Sequence, residues 1–482
     1  MKNTSQPASG PGDAVPLNAS GALPGCLNAP STGGGLSLAW ILALTLLVLF
    51  GALFSFPARS QTFTKAQVEL FQAVREQPND LARYDYLAKR AGQLSGRDNL
   101  FAMQLLAFSE NELGLYSEAI RDFPLTSHPV TEIKIPDPKS WEAKSAVAEV
   151  SKLAVSAQIV LLNEAHHDAH ARELSLLLLP KLYRHGYRYF AAEALIEDGG
   201  DIRRHGYVSP ASGSEYVREP LYGELIRVAL SLGYNVVAYD VTGAATPAER
   251  EKLQAKNLFD KILVRDPRAK IFVHAGYAHI DKAPGRLGPT KPMAMLLEEL
   301  SGAKMISVDQ TQFREQIPAV DARYNVLLKD FNPTEPIVIK NKAKGDFWSA
   351  APNLYDLNVL LPQTTGAALR SGTVERSTIV TDTNRALPVL SHVANAERPA
   401  WLNLKGLRSR YVIRSSMCKT HFPCLVEARY LAEGSDAIPA DRYVFRHDDS
   451  RTVLYLRPGS YALSVSDVEG KSLSTSQIKV NP

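Results

Sequence analysis

The sequence predicts an α/β fold, in which a parallel sheet flanked by helices follows a helical segment and precedes a small C-terminal β-sandwich. Two observations lead to this prediction. Between Trp141 and Asp309, short apolar runs alternate with longer segments of helical spacing, which is typical of strands joined by helical crossovers. From Tyr411 onward the apolar residues recur at every second position, which is typical of antiparallel strands that bury one face.

The N-terminal region predicts export from the cytoplasm. Residues 1–35 are rich in Gly, Pro, Ser, Ala and Asn and predict a disordered leader. Residues 36–56 carry no charge and are numerous enough to cross a bilayer as a helix. The small residues of Ala58-Arg59-Ser60 suit a signal peptidase, so this stretch is either a transmembrane anchor or a cleaved signal. We therefore expect the chain from Gln61 onward to lie on the periplasmic side of the cell envelope, anchored to the inner membrane or secreted.

Residues 61–125 predict a helical segment. Its stretches of helical spacing are separated by Pro78-Asn79-Asp80 and by Gly114. The segment from Gly114 to Pro124 is similar to the second helix of a tetratricopeptide repeat, which would offer a surface to a protein partner. The alternative is a helical cap on the domain that follows.

The α/β domain is predicted over residues 141–405, and its strands share one feature: they end in acidic residues or histidines. These strand-end residues are Glu164, Glu193, Asp240, His274 with His279, and Asp309. Because right-handed crossovers bring the carboxyl ends of parallel strands to one edge of the sheet, we expect a site at that edge. The polar loop from Gly199 to Arg218 is expected to cover it.

Several short motifs resemble those of a known family. They are Asn163-Glu164-Ala165-His166-His167-Asp168, Glu193, Glu249-Arg250-Glu251 and the segment HAGYAHI that ends at Ile280. Together they resemble the erythromycin-esterase and ChaN-like (haem-uptake lipoprotein) α/β superfamily, over about Gln158 to Ile280. The family has glycine where this chain has Asn163. Its histidine corresponds to His167 by the esterase pattern, or to His166 with His170 by the ChaN-like pattern, and we favour His166.

The resemblance and the residue types favour a hydrolase that activates water to attack an ester or lactone. A histidine beside carboxylates is suited to take a proton from water. His166 or His167 would be the base, and Glu164 and Glu193 would orient it and the water. His279 would stabilise or protonate the departing group, and Arg250 would be available to an oxyanion. The candidate catalytic residues are Glu164, His166, His167, Glu193, Arg250, Glu251 and His279, and the candidate binding residues are His170, Asp240, His274 and Tyr277.

Three alternatives use the same region. Glu164, His166, Glu193 and His279 are ligand types for a divalent metal, although the hydrolase hypothesis requires no cofactor. The ChaN-like branch implies a non-catalytic envelope protein that binds haem or another small ligand. The third alternative is a degenerate enzyme whose strand-end residues form only a buried network of ion pairs. A further possibility is an envelope scaffold in which the helical segment and the β-sandwich bind partners.

Residues 406–482 predict the β-sandwich, which contains two of the three cysteines. Cys418 and Cys424 are close enough in sequence to form a disulfide in an oxidising compartment, and the alternative is two buried thiols. The net charge is +4 and the charges form no basic stripe, which argues against a nucleic-acid partner. A small-molecule substrate or ligand is the partner that we expect.

Overall fold

The computed structural model describes residues 63–124, 133–196, 200–241, 244, 246–316, 322–363, 398–448 and 450–481. The predicted leader and the predicted membrane span, residues 1–56, lie outside these ranges. Within them, every helix is too short or too polar to cross a bilayer.

Four helices begin the described chain, in agreement with the helical spacing of the sequence. They are α1 (Lys65–Arg75), α2 (Asp80–Ala91), α3 (Gly96–Glu112) and α4 (Tyr116–Asp122). The first begins at a capping box, in which Thr64 and Gln67 each bond the other's backbone N–H. The second begins at Asn79, whose side chain accepts from the N–H of Ala82.

An eight-stranded sheet with helices follows. Its strands are β1 (Trp141–Ser145), β2 (Ile159–Glu164), β3 (Tyr187–Ala192), β4 (Asn235–Ala238), β5 (Lys270–Gly276), β6 (Met305–Asp309), β7 (Ile337–Asn341) and β8 (Leu357–Leu360). The helices between them are α5 (Ala146–Ala154), α6 (Ala171–Arg184), α7 (Gly200–His205), α8 (Pro220–Leu232), α9 (Pro247–Leu258), α10 (Met293–Ser301) and α11 (Ala322–Phe331).

The sheet is mixed, which corrects the prediction of a wholly parallel one. Its order is β1-β7-β8-β6-β2-β5-β3-β4, and the strands from β8 to β4 run parallel. Strand β7 runs antiparallel to both of its neighbours. The described connection from β7 to β8 contains no helix, so the chain returns directly beside β7, whereas a parallel neighbour would need a crossover.

Strand β2 shows that helices cover both faces of the parallel region. Val160 and Leu162 pack into a core shared with α5, α6 and α8. Ile159 and Leu161 point to the other face and pack against α9 and α10. Because both faces are buried, the polar side chains of these strands gather at the carboxyl ends.

The C-terminal region is antiparallel, as its period of two predicts. One sheet has the order β11-β10-β13-β14 and a second pairs β12 with β9. The strands are β9 (Ser409–Arg414), β10 (Cys424–Tyr430), β11 (Asp441–Phe445), β12 (Arg451–Leu456), β13 (Gly459–Ser466) and β14 (Ser472–Val480). Cys418 and Cys424 form a disulfide.

The N-terminal helices share a hydrophobic core with these C-terminal strands. Leu70 of α1, Leu81 of α2 and Phe101 of α3 belong to the same buried cluster as Val426 of β10 and Leu463 of β13. The two ends of the described chain are therefore packed together.

Candidate functional site

The predicted strand-end residues meet at one edge of the sheet. Strands β2, β5 and β3 are neighbours, and Glu164 at the end of β2 is in register with Gly276 at the end of β5. Glu193 follows β3 directly, and its backbone N–H donates to the carbonyl of His274 on β5. Glu164, Glu193 and His274 are all buried. The topology thus brings two carboxylates and a histidine together inside the protein.

Glu164 is fixed by a buried arginine. Arg172, in the first turn of α6, donates from Nε to Oε2 at 2.7 Å and from Nη2 to Oε1 at 2.9 Å. Burial opposes ionisation, but Arg172, with help from His274 and His166, holds the pKa of the Glu164 carboxyl well below its usual range. Glu164 is therefore a carboxylate at neutral pH, able to accept hydrogen bonds only.

His166 is oriented by this carboxylate. Its Nδ1 lies 2.9 Å from Oε1 of Glu164, so Nδ1 carries the proton and Nε2 keeps a free lone pair. The Nε2 atom is buried and has no hydrogen-bond partner among the described residues. Tyr216 stacks on the imidazole with ring centroids 3.9 Å apart, and Tyr277 meets it edge-on at 5.4 Å.

The free nitrogen of His166 faces Glu193 across Gly276. A Cβ atom at position 276 would lie 2.5 Å from His166 Nε2 and 3.1 Å from Glu193 Oε2. The same carboxylate oxygen accepts the backbone N–H of Gly276. Glycine is therefore required here for space, because any larger residue would displace His166.

Glu193 lies beside two cations. Its Oε1 accepts from Nη2 of Arg250 at 2.7 Å and lies 3.2 Å from Nε2 of His279. Burial opposes ionisation, but His279 and then Arg250 hold the pKa of Glu193 well below its usual range. Arg250 is anchored in turn by Asp240, with bonds of 3.0 and 2.7 Å from Nε and Nη2.

His279 is an imidazolium at neutral pH. Its Nδ1 lies 2.6 Å from Oε1 of Glu251, whose Oε2 accepts the backbone N–H of Met293 at the start of α10. Burial alone would lower the pKa of His279, but the carboxylates of Glu251 and Glu193 raise it to about 10. Both its nitrogens then carry protons. The 3.1 Å contact between its Nε2 and Nη1 of Arg250 is therefore not a hydrogen bond but brings two donors side by side at Glu193.

His274 is neutral and lies between the charged groups. Burial lowers the pKa of His274 to about 4, although Glu164 acts against that shift. Its Nε2 lies 3.4 Å from Oε2 of Glu164. At neutral pH His274 therefore packs uncharged beside the pair formed by Glu164 and Arg172. It is charged only below about pH 4, where it helps to keep Glu164 ionised.

Two predicted residues lie apart from this cluster. His167 stacks on Phe123 with ring centroids 3.5 Å apart, and its Nε2 lies 3.1 Å from Nη1 of Arg314. Burial and then Arg314 hold the pKa of His167 well below its usual range, so it is neutral. His170 points elsewhere, with its Nε2 3.0 Å from Oε2 of Glu173. Of His166, His167 and His170, which lie close together in sequence, only His166 contacts Glu164.

Asn163 and Asp309 form a separate polar network that supports the site. Asn163, which stands where the family has glycine, is part of strand β2 and therefore has no left-handed backbone conformation. Its side chain donates to Oδ1 of Asp309 at 2.7 Å and to the carbonyl of Tyr277 at 2.6 Å. Tyr277 has a φ of +38°, a conformation that L-residues rarely adopt. Asn163 thus holds the strained backbone at the end of β5.

Several site residues were not predicted from the sequence. Arg172 also donates to Oε2 of Glu219 at 2.6 Å, and Oε1 of Glu219 accepts from the hydroxyl of Tyr116 at 2.7 Å. Asn111 of α3 donates to the carbonyl of His166 at 3.1 Å and accepts from the N–H of Ala169 at 3.2 Å. The one available signal was Arg172, a charged residue at the start of a leucine-rich helix.

The described residues offer no metal-binding group, since they bring no three His, Cys, Asp or Glu side chains into a suitable arrangement. A cavity of about 240 Å³ lies beside Tyr216, and its lining includes none of the described histidines. The structure therefore gives no specific support to the metal alternative or to a haem ligand in this cavity.

Comparison with known proteins assigns no family. No protein-family model and no curated protein matches the chain. Among solved structures the chain is weakly similar to ChaN of Campylobacter jejuni, in a structure described by cofacial haem binding. The two share 11% identity, the match covers 48% of this chain and 100% of that chain, and the TM-score is 0.27. The type III effector HopBA1 is similar at the same level, with 15% identity, coverage of 39% of this chain and 91% of that chain, and a TM-score of 0.25. A bacterial protein toxin shares 14% identity, with coverage of 35% of this chain and 38% of that chain, and a TM-score of 0.27.

The chain spans less than two fifths of that toxin. The sequence motifs predict a relationship to the erythromycin-esterase and ChaN-like superfamily, and the comparisons support only a weak structural likeness to ChaN. A structural likeness this weak says nothing about function, which has to be inferred from the site itself.

Proposed function

We propose that this protein is a hydrolase that adds water to an ester or lactone, with His166 as general base. One observation carries the proposal: within the described part of the chain His166 Nε2 is buried without a partner, while Nδ1 is fixed on a carboxylate that cannot take its proton. This is the arrangement that a base needs, because the carboxylate sets the tautomer and supports the imidazolium that forms.

In the proposed reaction, water attacks the acyl carbon while its proton passes to His166 Nε2. The bond from the acyl carbon to the leaving oxygen then breaks, and the leaving oxygen takes a proton from the His279 imidazolium. The products are a carboxylic acid and an alcohol. The proton on His166 then passes to His279, directly or through solvent, so both side chains regain their starting states.

The surrounding charges support these two roles. The carboxylates of Glu251 and Glu193 keep His279 protonated, which makes it a proton donor at neutral pH. Arg250 neutralises Glu193 and would stabilise negative charge that develops on the substrate. Asp240 and Glu251 act through Arg250 and His279, so we assign them positioning roles.

A substrate screen tests the proposal. The full-length protein would be assayed on a panel of p-nitrophenyl esters and lactones, with His166→Gln and Glu164→Gln as variants. We expect both variants to lose at least about 100-fold in kcat. His205→Gln is the matched control, because His205 is exposed and outside the cluster. Hydrolysis that survives both site substitutions would contradict the assignment of His166.

A haem titration distinguishes the hydrolase from the haem-binding alternative. If no ester or lactone is hydrolysed, the full-length protein would be titrated with haem and followed at the Soret band. A Soret shift that disappears in His166→Gln would replace the hydrolase with a haem-binding function. No shift would leave the buried network as a structural feature.

We further propose that the described domains act outside the cytoplasm. The disulfide between Cys418 and Cys424 supports this location, because such bonds persist in oxidising compartments. A retained anchor at residues 36–56 would keep the protein in the membrane fraction after a carbonate wash. Recovery of the protein in the cytoplasm with both thiols free would contradict the proposed location.

A further inference from the structure

The cavity of about 240 Å³ lies between the N-terminal helices and the segment 215–218. Its apolar wall comes from three helices, with Phe71 and Val74 on α1, Leu87 on α2, and Leu105 and Phe108 on α3. An engineered cavity of about 150 Å³ holds a benzene molecule, so this one has room for a ring or a medium-length alkyl group.

Tyr216 is the common wall of this cavity and of the candidate active site. Its ring stacks on the His166 imidazole with centroids 3.9 Å apart. It also packs edge-to-face with Phe108, with centroids 5.7 Å apart. Tyr216 is half-buried, whereas His166 is buried. A ligand in the cavity is therefore separated from the proposed base by a single aromatic ring.

The polar end of the cavity favours an uncharged ligand. Arg83 is paired with Asp80 at 2.6 Å and with Glu112 at 3.4 Å. Arg218 is paired with Glu215 at 2.7 Å. Because Arg83 and Arg218 already have carboxylate partners, an anionic ligand would have to displace these, whereas an apolar group needs only the helical wall. The third arginine of the lining, Arg75, is exposed and its guanidinium lies over the Phe71 ring at 5.8 Å, so an uncharged ligand leaves it in water.

We propose that this cavity binds the apolar group of the substrate, an uncharged alkyl chain or ring, and that Tyr216 is the gate between it and His166. This inference rests on the proposed function, because it assigns the substrate class of the same site. The N-terminal helices then supply substrate specificity, and the sheet edge supplies the chemistry. Movement of the Tyr216 side chain off His166 would bring the ester carbonyl to Nε2.

A chain-length series tests the cavity. The full-length protein would be assayed on p-nitrophenyl acetate, butyrate and octanoate, together with Leu105→Trp, which fills the cavity. We expect the wild type to prefer octanoate over acetate by about tenfold or more in kcat/KM, since each buried methylene contributes roughly 0.8 kcal/mol. In Leu105→Trp this preference should fall to about twofold or less.

Leu100→Trp is the matched control, because Leu100 lies on the same helix with its side chain 39% exposed. It should keep the wild-type preference. If Leu105→Trp is misfolded by circular dichroism, Val74→Phe replaces it, since Val74 lines the same cavity. An active wild type without any chain-length preference would overturn the cavity assignment and leave the hydrolase standing.

A direct binding measurement distinguishes the two proposals. N-phenyl-1-naphthylamine is uncharged and fluoresces strongly in apolar surroundings. If no ester is hydrolysed but its fluorescence rises with the wild type and not with Leu105→Trp, the hydrolase fails and the cavity stands. If its fluorescence is the same with both proteins, the cavity assignment fails, whatever the activity.

Discussion

Gly276 and His166 are packed so closely that the smallest side chain would not fit between them. A methyl group at position 276 would lie 2.5 Å from Nε2 of His166 and 2.7 Å from Cε1. These are distances that atoms do not adopt, so the imidazole would have to move away from Glu164 or from Tyr216.

We therefore predict that Gly276→Ala lowers kcat by about 100-fold, the effect expected when a reacting group is misplaced by about 1 Å. Steady-state kinetics on the best ester of the screen would measure it. Gly285→Ala is the control, because its added methyl would meet only the end of the Leu354 side chain at 3.1 Å. Equal activity of both variants would show that His166 does not need its present position.

Arg172 should be essential for stability. It lies fully buried between the carboxylates of Glu164 and Glu219, so Arg172→Leu leaves two buried charges without their partner. We expect the free energy of unfolding to fall by about 3–5 kcal/mol, as measured by urea denaturation. Arg184→Leu, at the exposed end of the same helix, should change it by less than about 0.5 kcal/mol. Similar losses in the two variants would argue against the buried pairing.

Asn111 should position the proposed base from the helical segment. Its side chain bonds the backbone of His166 and Ala169, so Asn111→Ala frees the loop that carries the imidazole. We expect kcat to fall about tenfold or more, with a shifted pH profile, and stability to fall by about 1–3 kcal/mol.

The control for Asn111 is Asn99, which is also buried on α3 but bonds the carbonyl of Ala91 inside the helical segment. Asn99→Ala should lose similar stability and keep its kcat and pH profile. If the two variants lose activity equally, Asn111 has a structural role only.

The raised pKa of His279 predicts a dependence of stability on pH. The imidazolium is stabilised only in the folded state, since its pKa is about 10 there and about 6.5 when unfolded. Its contribution is fully present below pH 6.5 and is lost as the pH rises through 10. Urea unfolding at pH 6.5, 8 and 9.5 should show the wild type losing stability relative to His279→Gln. A constant difference across this range would contradict the raised pKa.

The sequence predicts the strand ends of the site because their position follows from chain direction alone. Once β2, β5 and β3 are consecutive parallel strands, Glu164 and Glu193 must lie at the same edge of the sheet, whatever their side-chain contacts. The exception in the sheet, β7, could not be predicted from its own apolar pattern, because strand direction depends on the connection and not on the strand.

The partners of those carboxylates could not be predicted in the same way. Asn111 and His166 are 55 positions apart, and no periodic pattern connects them. His167 differs from His166 by one position but points toward Arg314, because consecutive residues in a turn project in different directions. Hydrogen bonds between distant segments depend on packing that composition and spacing do not encode.

The core that joins Leu70 and Phe101 to Val426 and Leu463 has a consequence for how the chain is made. Synthesis yields these helices well before their strand partners, so this core has a high contact order and closes only after those strands have been made. The α/β region is, by connectivity, an insertion into that late-folding unit. Because α3 also carries Asn111, a nascent chain would complete its candidate active site only after strands β10 and β13 are in place.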